Sequence, residues 1–364
     1  MARIALEGAA AARACIRGRD LVAFAGCDYL GLAHDSEVEA ALRAGVERYG
    51  ISASASRVTT GNAVAHEELE RDLARFLGLE AALLVPDGYL ASQILFQGLA
   101  CRDPAVIVDR EAHVSIRDAL AASSIQGRDY EFCDARSAAE SARATGSDAL
   151  VVVTDGAYPV MRGIAPLAEL LALVPQSGLL VVDDCHGTGV LGARGRGSHE
   201  HAGIVDPRLV LLGTLSKALG CFGGFVAGPR ALIDEVVTRS RAFVGSTPIP
   251  PALALAACAA IAILERDASR IARLRANVER VRAVLHSAGI GTHDLPLPVF
   301  AWKARTPEAG ERAHAALLER GVLVPHVRYP DGLGSYFRLA VSAAHDDTAL
   351  ARLAAALRPS LEVA

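Results

Sequence analysis

The chain has 364 residues, of which 52% are hydrophobic and 21% are charged, and its formal net charge is −4. This length suits one large domain and a smaller one, and the slightly acidic charge with only 5% aromatic residues argues against nucleic-acid and anionic-membrane partners. The longest apolar run, residues 252–264, is too short to span a bilayer and is predicted to be a buried helix.

The cysteines indicate neither a disulfide framework nor a zinc site. There are seven of them, scattered along the chain, and no two have the C-x-x-C spacing. Residues 1–8 also lack the apolar core of a signal peptide, so a reducing cytoplasm is the expected location. His199, Glu200 and His201 are metal-ligand types, but they lie in a Gly/Ser-rich stretch without further ligands nearby. We predict a solvated surface loop there and no metal.

From residue 80 to 230, short apolar runs alternate with alanine-rich helical stretches. The runs are bounded by Asp, Gly or Pro, and the predicted strands are 81–85, 105–108, 149–153, 178–182 and 209–212. Helices predicted over 63–77 and 164–174 would cover the sheet. The pattern is typical of a doubly wound α/β fold with a mostly parallel sheet buried on both faces.

The character of the chain changes after residue 228. Long helical patterns run over 231–240 and 252–288, and short strands follow around 299–302 and 337–341. This predicts a smaller α+β domain at the C-terminal end. The predicted organisation is an N-terminal segment (1–40), a large domain (41–235) and a small domain (236–364).

Open parallel sheets bind ligands beyond the carboxyl ends of their strands, so the residues after each predicted strand are the ones to inspect. These positions hold an unusual share of Asp, His, Gly and Lys, in the segments 87–89, 109–113, 154–156, 183–186 and 213–217. Packing alone does not explain that clustering, which therefore predicts a functional site at this edge of the sheet.

Lys217 is one of only two lysines among the 37 Lys and Arg residues, the other being Lys303. It follows an apolar run that ends in a turn of small residues, where burial would lower the pKa of the amine and make it nucleophilic. Arginine cannot form a Schiff base, so the choice of lysine at this position is informative. From this segment alone, a solvated lysine at a turn is the alternative.

Two blocks identify the chain as similar to a known family. Asp183-x-x-His186-Gly-Thr-Gly and Gly213-Thr-Leu-Ser-Lys217-Ala resemble the pyridoxal 5′-phosphate (PLP) enzymes of the aspartate-aminotransferase fold, and more narrowly the α-oxoamine synthases. The resemblance extends over nearly the whole chain. It implies a large PLP-binding domain whose seven-stranded type of sheet is sandwiched by helices, together with the smaller α+β domain.

The resemblance implies catalytic roles for four residues. Lys217 would hold the cofactor as a Schiff base and act as the base on the substrate Cα proton. Asp183 would pair with the pyridine nitrogen, His186 would reach the phenolic oxygen, and His113 would stack on the ring. A carboxylate that caps the next helix is the alternative for Asp183, and a buried histidine with satisfied hydrogen bonds is the alternative for His113.

Further positions of the family bind the cofactor's phosphate and the substrate. Gly88 and Tyr89, which open a helix after a strand, and Thr214 would bind the phosphate. Thr247 matches a threonine that crosses from a partner subunit, so the active site would need a homodimer. Arg338 matches the arginine that binds the amino-acid carboxylate, and a strand-surface arginine is the alternative.

The resemblance implies a C-acyltransferase that condenses an amino acid with an acyl thioester of CoA or a carrier protein. Carbon dioxide is lost and an α-amino ketone forms, as in 8-amino-7-oxononanoate synthases. The alternatives are another PLP reaction, such as transamination or aldol cleavage, and a catalytically silent partner subunit.

Pro159 replaces a serine that usually helps to bind the phenolic oxygen, so the resemblance also allows a secondary-metabolic role. Arg57, His66 and Glu70 match family positions with an architectural role.

Overall fold

The structure is a computed structural model that describes residues 4–10, 12–328 and 334–362. Its helices are α1 (Ser36–Tyr49), α2 (Val64–Leu77), α3 (Gly88–Leu99), α4 (Val114–Ala122), α5 (Ala135–Thr145), α6 (Leu167–Ala172), α7 (Ser198–His201), α8 (Arg230–Arg239), α9 (Arg241–Gly245), α10 (Pro251–Arg266), α11 (Ser269–Ser287), α12 (Pro307–Glu319) and α13 (Asp347–Glu362). Its strands are β1 (Gly8–Ala10), β2 (Arg13–Ile16), β3 (Arg19–Ala23), β4 (Ala81–Val85), β5 (Ala105–Asp109), β6 (Gly127–Tyr130), β7 (Leu150–Asp155), β8 (Ala157–Tyr158), β9 (Gly163–Ile164), β10 (Leu179–Asp183), β11 (Leu209–Thr214), β12 (Gly224–Gly228), β13 (Val299–Trp302), β14 (Val322–Leu323), β15 (His326–Arg328) and β16 (Ser335–Ala340).

The chain divides into two compact units. The large unit comprises Asp35–Tyr158 and Gly163–Asp267, and the small unit comprises the residues before Asp35, Pro159–Arg162 and the residues from Ala268 onward. The boundaries predicted from sequence lie at residues 40 and 235. In the structure, helices α9 and α10 belong to the large unit, because α10 packs on α1 and α2.

The large unit is built on a sheet with the strand order β4-β12-β11-β10-β7-β5-β6. All its pairings are parallel except those of β12, which runs antiparallel to β4 and β11. Every residue of β4, β10, β11 and β12 is buried, as a sheet covered by helices on both faces requires. The predicted α/β class, the mostly parallel sheet and the five predicted strands are confirmed.

Two strands of this sheet were not predicted. β6 reads Gly-Arg-Asp-Tyr and lies at the edge of the sheet with three exposed residues, so it lacks an apolar run. β12 is only five residues long and has a glycine at each end. Edge position and glycine content both weaken the hydrophobic signal on which strand prediction depends.

The small unit contains two further sheets. One has the order β1-β2-β3-β14, and the other is the antiparallel sheet β13-β16-β15. Helix α12 packs on β14 and β16, and α11 and α12 both contact α13. This arrangement of helices and largely antiparallel strands is the α+β character predicted for the C-terminal part of the chain.

The prediction of one continuous helix over 252–288 is wrong, because the structure has two helices there. Helix α10 ends at Arg266, the backbone of Asp267 is extended at φ −129° and ψ 92°, and α11 begins at Ser269. The apolar half of that pattern, which lies in α10, is largely buried as predicted. Within the described ranges, no helix combines the length and apolar character needed to cross a bilayer.

Candidate active site

A cavity of about 380 Å³ lies at the carboxyl ends of five strands of the large unit that run in the same direction, namely β4, β5, β7, β10 and β11. Its lining residues are Asp87, Gly88, Tyr89, His113, Ser115, Asp155, Ala157, Asp183, Cys185, His186, Thr214, Lys217 and Phe222. Seven of the nine residues predicted from sequence are therefore brought together. The other two, Thr247 and Arg338, are not among the residues that line this cavity.

Lys217 lies in the loop that joins β11 to the antiparallel strand β12. Its side chain is partly buried, and its Nζ atom is 3.0 Å from Nε2 of His186. His186 follows β10, the neighbour of β11 in the sheet. Adjacent strands thus place a lysine amine and an imidazole within hydrogen-bonding distance, although they are 31 residues apart in sequence.

Asp183 is the last residue of β10 and is only 6% exposed. Its Oδ1 atom accepts a hydrogen bond of 3.0 Å from the backbone N–H of Cys185. The carboxylate therefore caps the turn after its strand and also faces the cavity. The alternative made from sequence, a cap on the next helix, is wrong, because the hydrogen bond closes a turn and the next helix begins only at Ser198. The role of Asp183 with the ring nitrogen stays a prediction.

His113 is held by three neighbouring contacts. Its backbone N–H donates to Oδ1 of Asp155 at 3.0 Å, and its ring Nδ1 accepts the N–H of Ser115 at 3.3 Å and lies 2.8 Å from the Ser115 hydroxyl. Because Nδ1 is an acceptor here, the neutral ring carries its proton on Nε2. Burial lowers the pKa of His113 and favours this neutral form.

The first turn of α3 forms one end of the cavity. Asp87 caps this helix by accepting the N–H of Leu90 at 2.9 Å, and Gly88 is its first residue. A Cβ atom at Gly88 would lie 2.9 Å from Cβ of Thr214, so only glycine lets the helix start approach β11 this closely. A helix N-terminus beside a threonine hydroxyl is suited to bind a phosphate group.

The donors and acceptors of the cavity match the groups of PLP. The cavity contains an amine, a carboxylate and two imidazoles. It also contains the N-terminus of a helix, where the absence of a side chain at Gly88 leaves room for Thr214. Lys217 would bind the aldehyde, Asp183 the ring nitrogen, and the start of α3 the phosphate. The residues present therefore fit the cofactor that the sequence blocks imply.

Thr247 and Arg338 lie elsewhere. Thr247 is exposed between α9 and α10 of the large unit. Arg338 lies in β16 of the small unit, where its guanidinium group is 3.5 Å from Sγ of Cys27. A role for Thr247 in a partner's site and a role for Arg338 with substrate stay predictions.

Sequence reasoning gave no role to six residues that line the cavity: Asp87, Ser115, Asp155, Ala157, Cys185 and Phe222. Asp155 stood among the polar strand ends, and its pairing in register with Asp183 was the missing information. Phe222 is 52% exposed in the loop after Lys217, and no sequence pattern marks it. Only the path of that loop brings the ring to the cavity.

The glycine-rich loop after β10 is packed onto Asp184. This buried carboxylate accepts hydrogen bonds from the Thr188 hydroxyl at 2.9 Å and from the Ser198 N–H at 3.1 Å. A Cβ atom at Gly187 or Gly197 would come within 2.0 Å of its oxygens. Burial raises the pKa of Asp184 to about 7. Asp184 thus holds the loop that carries His186.

The interpretation of Arg57, His66 and Glu70 as architectural agrees with their contacts. Arg57 and Glu70 form an ion pair whose side chains are 9% and 17% exposed, and the same Glu70 carboxylate accepts the N–H of Leu84 in β4 at 2.8 Å. His66 lies 2.9 Å from the carbonyl of Ile249. These contacts anchor α2 to the sheet and to the start of α10.

The surface loop predicted around His199, Glu200 and His201 is wrong. These residues form the short helix α7, and His199 is buried with Nε2 2.9 Å from the carbonyl of Leu77. Glu200 accepts the backbone N–H groups of Arg194 and Arg196. The side chains thus serve local packing, and the described part of the chain holds no group of three or more potential metal ligands.

Comparison with known proteins gives one consistent grouping. Residues 19–357 match the family described as aminotransferase class I and II. An 8-amino-7-oxononanoate synthase of Methylococcus capsulatus is 41% identical, over 95% of this chain and 90% of the relative, and one of Thioalkalivibrio sulfidiphilus is 37% identical, over 99% and 93%. Among solved structures, a serine palmitoyltransferase of Sphingomonas wittichii shares 26% identity at a TM-score of 0.91, over 98% of this chain and 91% of that one. A structure of SPT with PLP internal aldimine shares 25% identity at a TM-score of 0.92, over 100% and 94%.

Proposed function

Because the chain belongs to the class I and II aminotransferases and, within them, to the α-oxoamine synthases, we propose that it is a PLP-dependent C-acyltransferase. It condenses an amino acid with an acyl thioester, with loss of carbon dioxide, to give an α-amino ketone. The observation that carries the proposal is the Lys217 amine, 3.0 Å from His186 in a cavity that Asp183 and His113 also line.

When bound, PLP supplies an aldehyde that joins to amines and a ring that takes up the electron pair released at the substrate Cα. Lys217 would hold the aldehyde carbon and then remove the Cα proton with its freed amine. His186, at hydrogen-bonding distance, orients that amine. Asp183 would hold the proton on the ring nitrogen.

His113, which lines the same cavity, would position the reacting groups. Its Nδ1 accepts the Ser115 N–H, so its Nε2–H is the group left to donate a hydrogen bond to a substrate carbonyl or carboxylate. A neutral imidazole donates without adding a positive charge beside the Lys217 amine.

The names of the curated relatives support a specific pair of substrates. Splitting 8-amino-7-oxononanoate between its keto carbon and its amino-bearing carbon gives an alanine fragment and a heptanedioyl group. We therefore expect alanine with a heptanedioyl thioester of CoA or a carrier protein to be the first pair to test. Release of free thiol and carbon dioxide measures the reaction, and glycine and serine serve as competing amino acids.

The small number of lysines allows a decisive test for the cofactor. After incubation with PLP and borohydride reduction, peptide mass mapping should find the label on Lys217 and not on Lys303, which is exposed in the small unit. Lys217→Ala should lose the label and the visible absorbance, whereas Lys303→Ala should keep both. A folded wild-type protein that stays unlabelled at saturating PLP would falsify the proposal.

We also propose that the active enzyme is a homodimer in which Thr247 serves the partner's site. Tyr89, Val114 and Phe222, all large apolar side chains at or beside the cavity, are 45–55% exposed in the single chain, which supports burial against a second copy. Thr247→Ala should leave the dimer intact in light scattering and weaken PLP binding about tenfold, as expected for one lost phosphate hydrogen bond. Unchanged PLP affinity, or a monomer that binds PLP fully, contradicts this assignment.

A further inference from the structure

Three neighbouring strands of the large sheet end in aspartate: β5 in Asp109, β7 in Asp155 and β10 in Asp183. Asp155 pairs in register with Asp183, and residues in register on adjacent parallel strands lie about 4.8 Å apart and point to the same face. Both line the cavity. The site therefore contains two carboxyl groups side by side, of which the mechanism above uses one.

The contacts of Asp155 distinguish it from its neighbours. Its Oδ1 atom accepts the backbone N–H of His113 at 3.0 Å, and its own backbone N–H donates to the hydroxyl of Tyr158 at 3.0 Å. By contrast, each oxygen of Asp109 accepts a backbone N–H, from Glu111 and from Cys133. One oxygen of Asp155 is thus committed to holding His113, and its second oxygen carries no such bond.

The charged and polar groups that act most strongly on Asp155 come from several elements around it. Asp183 on β10 and Asp109 on β5 are acidic, Lys217 follows β11, and His113 caps the start of α4. Burial, and then the neighbouring Asp183 carboxylate, raise the pKa of Asp155 well above its usual range, while the His113 N–H and Lys217 oppose this. Two carboxyl groups this close share one proton, because ionising both in a protein cavity costs too much.

We propose that Asp155 is the carboxyl group that holds this proton, so that it positions His113 as a neutral group and leaves Asp183 as the anion for the ring nitrogen. Asp155 is the middle member of the three strand ends and has an acidic neighbour on either side. The part of the proposal that concerns the cofactor rests on the proposed function. The part that concerns the proton does not, because it holds for the folded protein alone.

The first test measures unfolding by urea between pH 4 and 7.5 on the cofactor-free protein. A group whose pKa is raised in the folded state stabilises the fold below its unfolded pKa, near 3.8, and loses that contribution as pH rises through the folded pKa. Asp155→Asn replaces the carboxyl group with a neutral amide of the same shape, so the variant does not lose stability in this way as pH rises. Its unfolding constant relative to wild type should therefore fall with rising pH, by up to about tenfold per pH unit.

Asp134→Asn is the matched control, because it removes a carboxylate that caps α5 outside the cavity and asparagine caps equally well. Its pH profile should run parallel to that of wild type. If the Asp155→Asn profile also runs parallel to wild type, Asp155 is ionised and the proposal is wrong.

The second test measures the affinity for PLP and its visible spectrum. Asp155→Asn should bind PLP within about threefold of wild type, because the amide oxygen still accepts the His113 N–H. Asp155→Ala should bind roughly tenfold more weakly, since that acceptor is lost, and Asp183→Asn should lose the spectrum of the ring-protonated cofactor. If Asp155→Asn loses that spectrum and Asp183→Asn keeps it, the two roles are reversed and the proposal fails.

The two tests separate this proposal from the proposed function. If wild-type protein binds no PLP, the proposed function fails, and the pH profile of the cofactor-free variants still decides whether Asp155 holds a proton. If PLP is bound at Lys217 but the pH profile of Asp155→Asn runs parallel to that of wild type, the proposed function stands and the proton on Asp155 is disproved.

Discussion

At the scale of single residues, each predicted group acquires its chemistry from its neighbours in the folded protein. Lys217 is paired with His186 across two strands, and the proton of the His113 ring is directed to Nε2 by Ser115. Asp183 shares the end of the sheet with Asp155. The residue type sets which protonation states a side chain can adopt, and the groups around it determine which of these states is populated.

Arg338 offers a residue-scale prediction about substrate binding. Guanidinium binds a carboxylate with two parallel hydrogen bonds that an ammonium group cannot reproduce, so Arg338→Lys should raise KM for the amino acid by about 10- to 100-fold. PLP labelling at Lys217 should be unaffected. Steady-state kinetics at saturating thioester measure this effect.

The control for that experiment is Arg328→Ala on the neighbouring strand β15, where the side chain is exposed. It should leave KM unchanged. An Arg338→Lys enzyme with wild-type KM for every accepted amino acid would remove Arg338 from the substrate site.

At the scale of elements, close helix packing in the large unit depends on small residues. Helix α1 lies on α10 through Gly45, which is buried, and a Cβ atom there would lie 2.6 Å from the backbone Cα of Ala252. In α3, a Cβ atom at Gly98 would lie 2.8 Å from the side-chain Cγ2 atom and 3.0 Å from the backbone Cα atom of Val236 in α8. Such contacts set helix separations that larger side chains would increase.

Gly45→Ala tests this contact between elements. In an isolated helix the change would favour folding by about 0.5–1 kcal/mol, but the clash with Ala252 should reverse the sign and destabilise the protein by about 1–3 kcal/mol. Urea unfolding at constant pH measures the difference. Glu47→Ala, at an exposed position on the same helix, should change the free energy of unfolding by less than about 0.5 kcal/mol. A stabilised Gly45→Ala protein contradicts the packing described.

At the scale of the whole molecule, both units contain buried histidines that hold the backbone in place. In the large unit, Nδ1 of His66 accepts the Ala63 N–H at 3.1 Å, and in the small unit Nδ1 of His345 accepts the Ser342 N–H at 2.9 Å. In both, Nε2 faces a backbone carbonyl oxygen. Burial lowers the pKa of each ring, and protonating Nδ1 would break the N–H bond that it accepts.

This arrangement predicts sensitivity to acid. Because the pKa of His345 is lowered below its usual 6.5 in the folded state, its contribution to stability is complete above pH 6.5 and is lost as pH falls through the folded value. Relative to His345→Gln, wild type should lose up to about 1.4 kcal/mol of unfolding free energy per pH unit below 6.5. Urea unfolding at a series of pH values measures this. His34→Gln, at an exposed position, should parallel wild type; a parallel His345→Gln profile would contradict the assignment.

Much of the fold and of the site was accessible from residue patterns. Five apolar runs predicted buried strands correctly because a strand covered on both faces needs no polar residues. The polar residues after those runs marked the site because parallel strands end at one edge of the sheet. The patterns failed at β6, whose exposed edge position leaves it polar, and at His199, whose burial depends on a carbonyl group 122 residues away.

The sequence by itself determined the class of fold, the chemical groups at the strand ends and the lysine that we propose binds PLP, because periodicity and side-chain chemistry are local properties of a chain. Only the tertiary structure decided that Asp155 stands beside Asp183, that the Lys217 amine meets His186 and that Phe222 reaches the cavity. Strand register, burial and loop path arise from contacts between distant residues, and the charge carried by a carboxyl or imidazole group follows from those contacts.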